Sequence, residues 1–198
     1  MKLYITPGSP YARMARMMVI EKKLEPCVEV IVAQTRQANS AYYAINPSGR
    51  VPYLVRDDGV GLEESALICA YLDQLDGRPI FERPSLEAQR LEALARSLAD
   101  GLAVWGRELT RPANERSPGV IHHETERARR MTDLWEREIG HEAMRGTLNM
   151  AQLTLGCALG MEARNRDLDW RTGHPKLVGW FGGFATRPSF VATAPPRP

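Results

Sequence analysis

The sequence predicts a small α/β domain followed by an all-α domain, and three observations carry that prediction. Short β-like runs and helical stripes alternate through residues 1–77. Composition then changes across residues 78–84, a linker rich in charge and proline. Beyond Ser85 no run reads as a strand, while apolar stripes spaced by threes and fours continue over residues 85–198. A chain of 198 residues has room for two small domains of this kind.

Leu3 and Ile5 alternate as in a half-buried strand, and Pro7-Gly8 breaks it. Ser9 followed by Pro10 then opens a helix. The serine hydroxyl can satisfy an orphan N–H, and the fixed φ of proline is already helical. Ser9 therefore stands where a strand hands over to a helix N-terminus, a place that favours anions. Glu25-Pro26 ends the helix, and residues 27–32 (CVEVIV) read as a second strand, buried on both faces and parallel to the first. A loop and a short helix follow, closed by the turn cluster Asn46-Pro47-Ser48-Gly49. Residues 50–55 give a third strand, in which Pro52 marks an edge, a strand beginning or a cis bond. Asp57-Asp58-Gly59 is a hairpin signal, and residues 60–62 return as a fourth strand. After Glu63-Glu64-Ser65, a helix carries Ile68, Tyr71, Leu72 and Leu75 on one stripe, and Asp76-Gly77 with Pro79 stops it. The order is β-α-β-α-β-β-α.

In the second domain Ser85 starts a long helix with Leu91, Leu94, Leu98, Leu102, Trp105 and Leu109 on one face. Ser117-Pro118-Gly119 breaks the chain before a helix over residues 121–138. Asn149 and Gln152 form a near capping box for a more apolar helix bearing Met150, Leu153, Cys157 and Met161. Residues 175–184 form a last short helix before a proline-rich tail.

Composition narrows the function. A net charge of +2, with basic and acidic residues interleaved, gives no reason to expect a nucleic-acid partner. No apolar run approaches the length of a membrane span, and the N-terminus lacks the regions of a signal peptide, so a cytoplasmic location is expected. The three cysteines, Cys27, Cys69 and Cys157, are far apart and lie in apolar patterns, which reads as packing rather than disulfide or metal chemistry. The four histidines show no metal spacing, and His122-His123 reads as a solvated helix start.

Three motifs follow one another along the chain: Ser9-Pro10-Tyr11-Ala12-Arg13, the run Asn46-Pro47-Ser48-Gly49-Arg50-Val51-Pro52, and Glu64-Ser65. In this order they resemble the cytosolic glutathione S-transferase superfamily across nearly the whole chain, within it the bacterial YibF-like group. The Asn149/Gln152 box is similar to a family capping box with both ends substituted. The resemblance implies a thioredoxin-like glutathione-binding domain before a helical-bundle domain, a cis bond at Pro52, a homodimer, and detoxification chemistry with glutathione as co-substrate and no metal. It implies Ser9 as the catalytic residue, and Tyr11, Arg50, Val51, Pro52, Glu64 and Ser65 as glutathione-binding. A pocket for the second substrate is expected between the domains, with Trp105, Arg107 and Arg111 as candidates. Where thioredoxin-like oxidoreductases carry C-x-x-C this chain has Ser9-Pro10-Tyr11-Ala12, which excludes a dithiol mechanism there.

The chemistry asked of Ser9 is modest. A free thiol has a pKa of about 8.5, and lowering it by ~2 units takes roughly 3 kcal/mol of preferential thiolate stabilisation. A partly buried helix N-terminus supplies ~1–2 kcal/mol, and a hydroxyl donated to sulfur supplies a comparable share. One hydroxyl can accept a backbone N–H and donate to sulfur at once, so capping and catalysis are compatible. Thr6 and Tyr11 are rivals for this role, with Tyr4 a more distant one. Besides transfer to a small electrophile, the same thiolate serves reduction, isomerisation or dehalogenation. The alternative class is a non-catalytic protein of this fold that acts by protein binding, as stringent-starvation-type proteins do.

Overall fold

A computed structural model describes residues 1–163, 165 and 167–196. The elements are β1 (Lys2–Ile5), α1 (Pro10–Glu21), β2 (Glu29–Val32), α2 (Tyr42–Ile45), β3 (Tyr53–Val55), β4 (Gly61–Glu63) and α3 (Ser65–Gln74). Then come α4 (Leu86–Leu109), α5 (Pro118–Glu138), α6 (Met150–Leu159), α7 (Pro175–Ala185) and α8 (Pro188–Ala192). This is the mixed thioredoxin-like sheet with helices, followed by helices alone, that the sequence predicts. Two compact units result, one of Met1–Phe81 with Pro188–Pro196 and one of Glu82–Arg187. The C-terminal segment thus groups with the first unit rather than with the helices that precede it in the chain. Of the proline-rich tail, residues 197 and 198 lie outside the described residues.

The sheet runs β2-β1-β3-β4. β1 pairs with β2 in parallel, and both β1 with β3 and β3 with β4 are antiparallel. Side chains alternate between the two faces. Leu3 and Leu54, opposite each other on β1 and β3, are fully buried on the face of α1 and α3, whose own buried residues include Met14, Met17, Ile68 and Leu72. Tyr4, one residue along, packs on the other face with Ala33 and Tyr42 of α2. In the second unit α4 packs on α5 and α6. Every α6 residue after Met150 is buried. A Cβ on Gly156 would lie 2.0 Å from the Phe184 ring, so the absence of a side chain there admits α7.

Several expectations are corrected. β2 is parallel to β1 but not buried, and Val32 is 62% exposed. It is the edge strand, and the helices on that face cover the inner strands while Val30 and Val32, one strand further out, stay open. Cys69 and Cys157 are core residues, but Cys27 is exposed on the turn before β2. Ser117-Pro118 does not break the chain before a later helix. It starts α5, with Ser117 Oγ accepting the Val120 N–H at 3.4 Å, by the same Ser-Pro rule that starts α1. Arg187-Pro188-Ser189-Phe190 opens an additional helix, α8, with Pro188 in its first turn. Asn149 caps α6 as expected, its Oδ1 accepting from Gln152 N–H at 3.1 Å. The Gln152 side chain turns instead to the carbonyls of Ala143 and Arg145.

Candidate functional site

Sheet register decides which motifs meet. Tyr4 of β1 lies opposite Tyr53 of β3, and Tyr53 lies opposite Glu63 of β4. Antiparallel pairing therefore brings three segments out at the same end of the sheet: the bend 6–9 after β1, Val51-Pro52 before β3, and Glu64-Ser65 after β4. Two helices, α1 and α3, begin there.

Ser9 is the N-cap of α1, with extended φ −80° and ψ 122°. Its N–H donates to the Thr6 carbonyl at 3.1 Å, its own carbonyl accepts from Arg13 N–H at 3.0 Å, and its Oγ accepts from Ala12 N–H at 3.2 Å. Among the described residues the hydroxyl proton has no acceptor. No carboxylate stands in the first turn of α1, so the positive end of the helix is not neutralised there. Tyr11 is half-buried in that first turn, and Thr6 is half-buried in the bend. Tyr4, the distant rival, is buried against Tyr42, ring centroids 5.5 Å apart.

The Val51-Pro52 peptide bond is cis. Among the described residues neither the N–H nor the carbonyl of Val51 has a hydrogen-bond partner. Arg50 is exposed and its guanidinium is unpaired among the described residues. The loop before it is tightly closed. Ser48 N–H donates to Asn46 Oδ1 at 3.1 Å, Arg50 N–H donates to Ser48 Oγ at 3.2 Å, and Ser48 Oγ donates to Glu63 at 2.9 Å.

Glu64 has φ 82° and ψ 120°, a conformation that a side-chain-bearing residue rarely adopts and that costs about 1–3 kcal/mol. It precedes α3 directly, and its carbonyl accepts from Ile68 N–H at 3.0 Å. Ser65 is buried, its Oγ donating to Glu64 Oε1 at 3.2 Å. Strain of this kind persists where the surroundings over-determine it, most often at binding sites.

The first 80 residues match a known family. Residues 3–80 fit the model of the glutathione S-transferase N-terminal domain. A glutathione transferase family member from Pseudomonas fluorescens Pf-5, solved with bound glutathione, is 30% identical and superposes with a TM-score of 0.87 over 98% of either chain. The chain belongs to the glutathione S-transferase superfamily. It is 29% identical, over the full length of both, to the uncharacterized GST-like protein YibF of Escherichia coli K12. A glutathione S-transferase from Methylobacillus flagellatus KT, solved with glutathione bound, is 27% identical with a TM-score of 0.86, covering 98% of this chain and 99% of that one.

In this member of the superfamily the three residues expected at a second-substrate pocket are not gathered together. Trp105 is buried, lining a pocket of about 200 Å³ inside the second unit with Thr125, Thr132, Leu168 and Trp170. Arg107, two residues on along α4, faces away and is exposed. Arg111 lies beyond the helix, its Nε donating to the Glu115 carbonyl at 3.1 Å and its guanidinium 3.7 Å from the Glu115 carboxylate. Tyr42 and Asn46, which hold the Arg50 carbonyl beside Val51, were not among the expected site residues. Asn46 carried a signal, since Asn in a turn cluster bonds backbone groups nearby. Tyr42 carried none, because its partner lies eight residues away across an irregular loop.

Proposed function

We propose that this protein is a glutathione transferase that binds glutathione at the shared end of the N-terminal sheet, holds its thiol as a thiolate beside Ser9, and transfers the sulfur to a small electrophile. The observation that carries the reading is the convergence of the α1 N-terminus, the open Val51 peptide and the strained Glu64-Ser65 start of α3 at one sheet end. Glutathione offers a matching set of groups. Its thiolate suits the unneutralised α1 terminus and the uncommitted Ser9 proton. Its extended backbone suits pairing with the Val51 N–H and carbonyl as an added strand. The γ-glutamyl carboxylate suits Ser65 and the first turn of α3, and the ammonium suits Glu64. Arg50 is in reach of solvent to meet the glycyl carboxylate, and Tyr11 flanks the sulfur. The bound glutathione in the Pseudomonas and Methylobacillus structures supports this choice of ligand.

In the reaction the thiol proton leaves to solvent, the thiolate lone pair forms the new carbon–sulfur bond, and the leaving group departs from the electrophile or a π bond accepts the pair. Ser9 stays protonated and donates to sulfur throughout. A cytoplasmic homodimer with glutathione as its only co-substrate completes the reading, and exposed Arg107 is the candidate to meet an acidic acceptor. Ser9→Ala is expected to raise the apparent pKa of the bound thiol by about 1 unit and to lower turnover at neutral pH. The pH–rate profile of wild type and variant with a generic aryl halide reads both. Superimposable profiles would remove Ser9 from the mechanism, and binding without any turnover would favour a protein-binding role.

A further inference from the structure

We propose that Tyr42 and Asn46 are positioning residues for glutathione binding: they touch no ligand but aim the Val51 N–H at it by gripping the Arg50 carbonyl. The inference rests on the glutathione reading above. The Arg50 carbonyl and the Val51 N–H are two ends of one planar peptide unit, so fixing the first fixes the direction of the second. Two donors hold the carbonyl. The Tyr42 hydroxyl donates to it at 2.5 Å and Asn46 Nδ2 at 3.0 Å. The N–H at the other end has no partner among the described residues, so this grip, and not a bond of its own, sets its orientation.

Both side chains are well fixed themselves. Asn46 is 2% exposed and Tyr42 5% exposed. Asn46 is tied at every polar group: its N–H donates to the Tyr42 carbonyl at 2.9 Å, its carbonyl accepts from Gly49 N–H at 3.0 Å, and its Oδ1 accepts from Ser48 N–H at 3.1 Å. The Tyr42 ring packs on Tyr4 and Ala33, with Val51 itself against the same cluster. Burial pushes the Tyr42 phenol up, which keeps its proton in place to donate at all ordinary pH. A ligand strand that pairs with an N–H already aimed loses less freedom on binding than one that must order the peptide first.

The test is glutathione affinity by calorimetry on the full chain, with Tyr42→Phe and Asn46→Asp. Tyr42→Phe keeps the ring and removes one donor, while Asn46→Asp keeps the acceptor for Ser48 and removes the other. Each is expected to weaken glutathione by about fivefold to tenfold, with KM for glutathione rising, kcat at saturating glutathione unchanged, and the pKa of the bound thiol unmoved. A purely structural role would lower the melting temperature and leave affinity alone well below it. Wild-type affinity in both variants would overturn the proposal while the glutathione reading stands. A wild-type chain that ignores millimolar glutathione would overturn both.

Discussion

Glu64 is the residue at which stability and the proposed function pull against each other. Its φ of 82° suits glycine, which has no Cβ to oppose it. Glu64→Gly is therefore expected to relieve backbone strain and raise stability by up to about 1 kcal/mol, net of the entropy that glycine loses on folding. The same change removes the carboxylate proposed to meet the ligand ammonium, so glutathione affinity should fall. Thermal melting with and without glutathione reads both effects in one experiment. A variant that melts lower and binds as wild type would contradict the account of this residue. Ser9 poses no such conflict, because capping the helix and the proposed donation to sulfur use different parts of one hydroxyl.

Helices α1 and α3 are joined, at the ends away from the candidate site, by a charge cluster in which Lys22 and Asp73 are buried and Asp76 is exposed. Lys22 Nζ lies 2.7 Å from Asp76, 3.6 Å from Asp73 and 2.6 Å from the Arg78 carbonyl. Asp73, fully buried at the end of α3, accepts the N–H groups of Ile80 at 2.8 Å and Phe81 at 3.0 Å. This ties the chain that leaves α3 back onto it. Asp73→Ala leaves two part-buried N–H groups unpaired and a buried ammonium with one carboxylate fewer. A loss of about 3 kcal/mol is expected in urea unfolding. A change below half of that would mean water replaces the carboxylate. The cluster also marks what the sequence could and could not reveal. Helix starts written in adjacent residues, at Ser9-Pro10, Ser85 and Asn149, were legible because capping is local. The hairpin turn at Asp57-Asp58-Gly59 was legible for the same reason. The exposure of β2 was not, since a valine-rich run reads alike at the centre or the edge of a sheet. Nor was α8, whose Phe190 carbonyl, together with the hydroxyl of Thr193 just beyond the helix, accepts from buried Arg13 of α1, 177 and 180 residues away in the chain.

At the scale of the whole molecule, acid should act first through carboxylates that brace the helical unit. Arg90 donates to Glu138 at 2.9 Å and holds its carboxyl below the usual range. Burial works against ionised Glu136, but the N–H groups of Leu177 and Lys176, which it caps from α5, outweigh that and lower it too. A depressed pKa contributes stability that is complete above the ordinary glutamate value of about 4.3 and is lost as pH falls through the lower folded value. Stability is thus expected to fall between about pH 5 and pH 3, by a modest amount because both groups meet solvent. Glu136→Gln should flatten that fall in melting temperature, and an equally steep fall in the variant would assign it elsewhere. The order of the motifs along the chain, more than any one of them, made the two-part fold readable and pointed to the candidate site. Their meeting at one sheet end was supplied by strand register, which spacing alone does not encode. The central claim is that this end binds glutathione. Titrating glutathione while following backbone amides by NMR tests it most directly. The amides of Ser9, Val51 and Ser65 should shift together and saturate with one dissociation constant below the millimolar range. No shift at millimolar glutathione, or shifts confined to residues elsewhere, would contradict it.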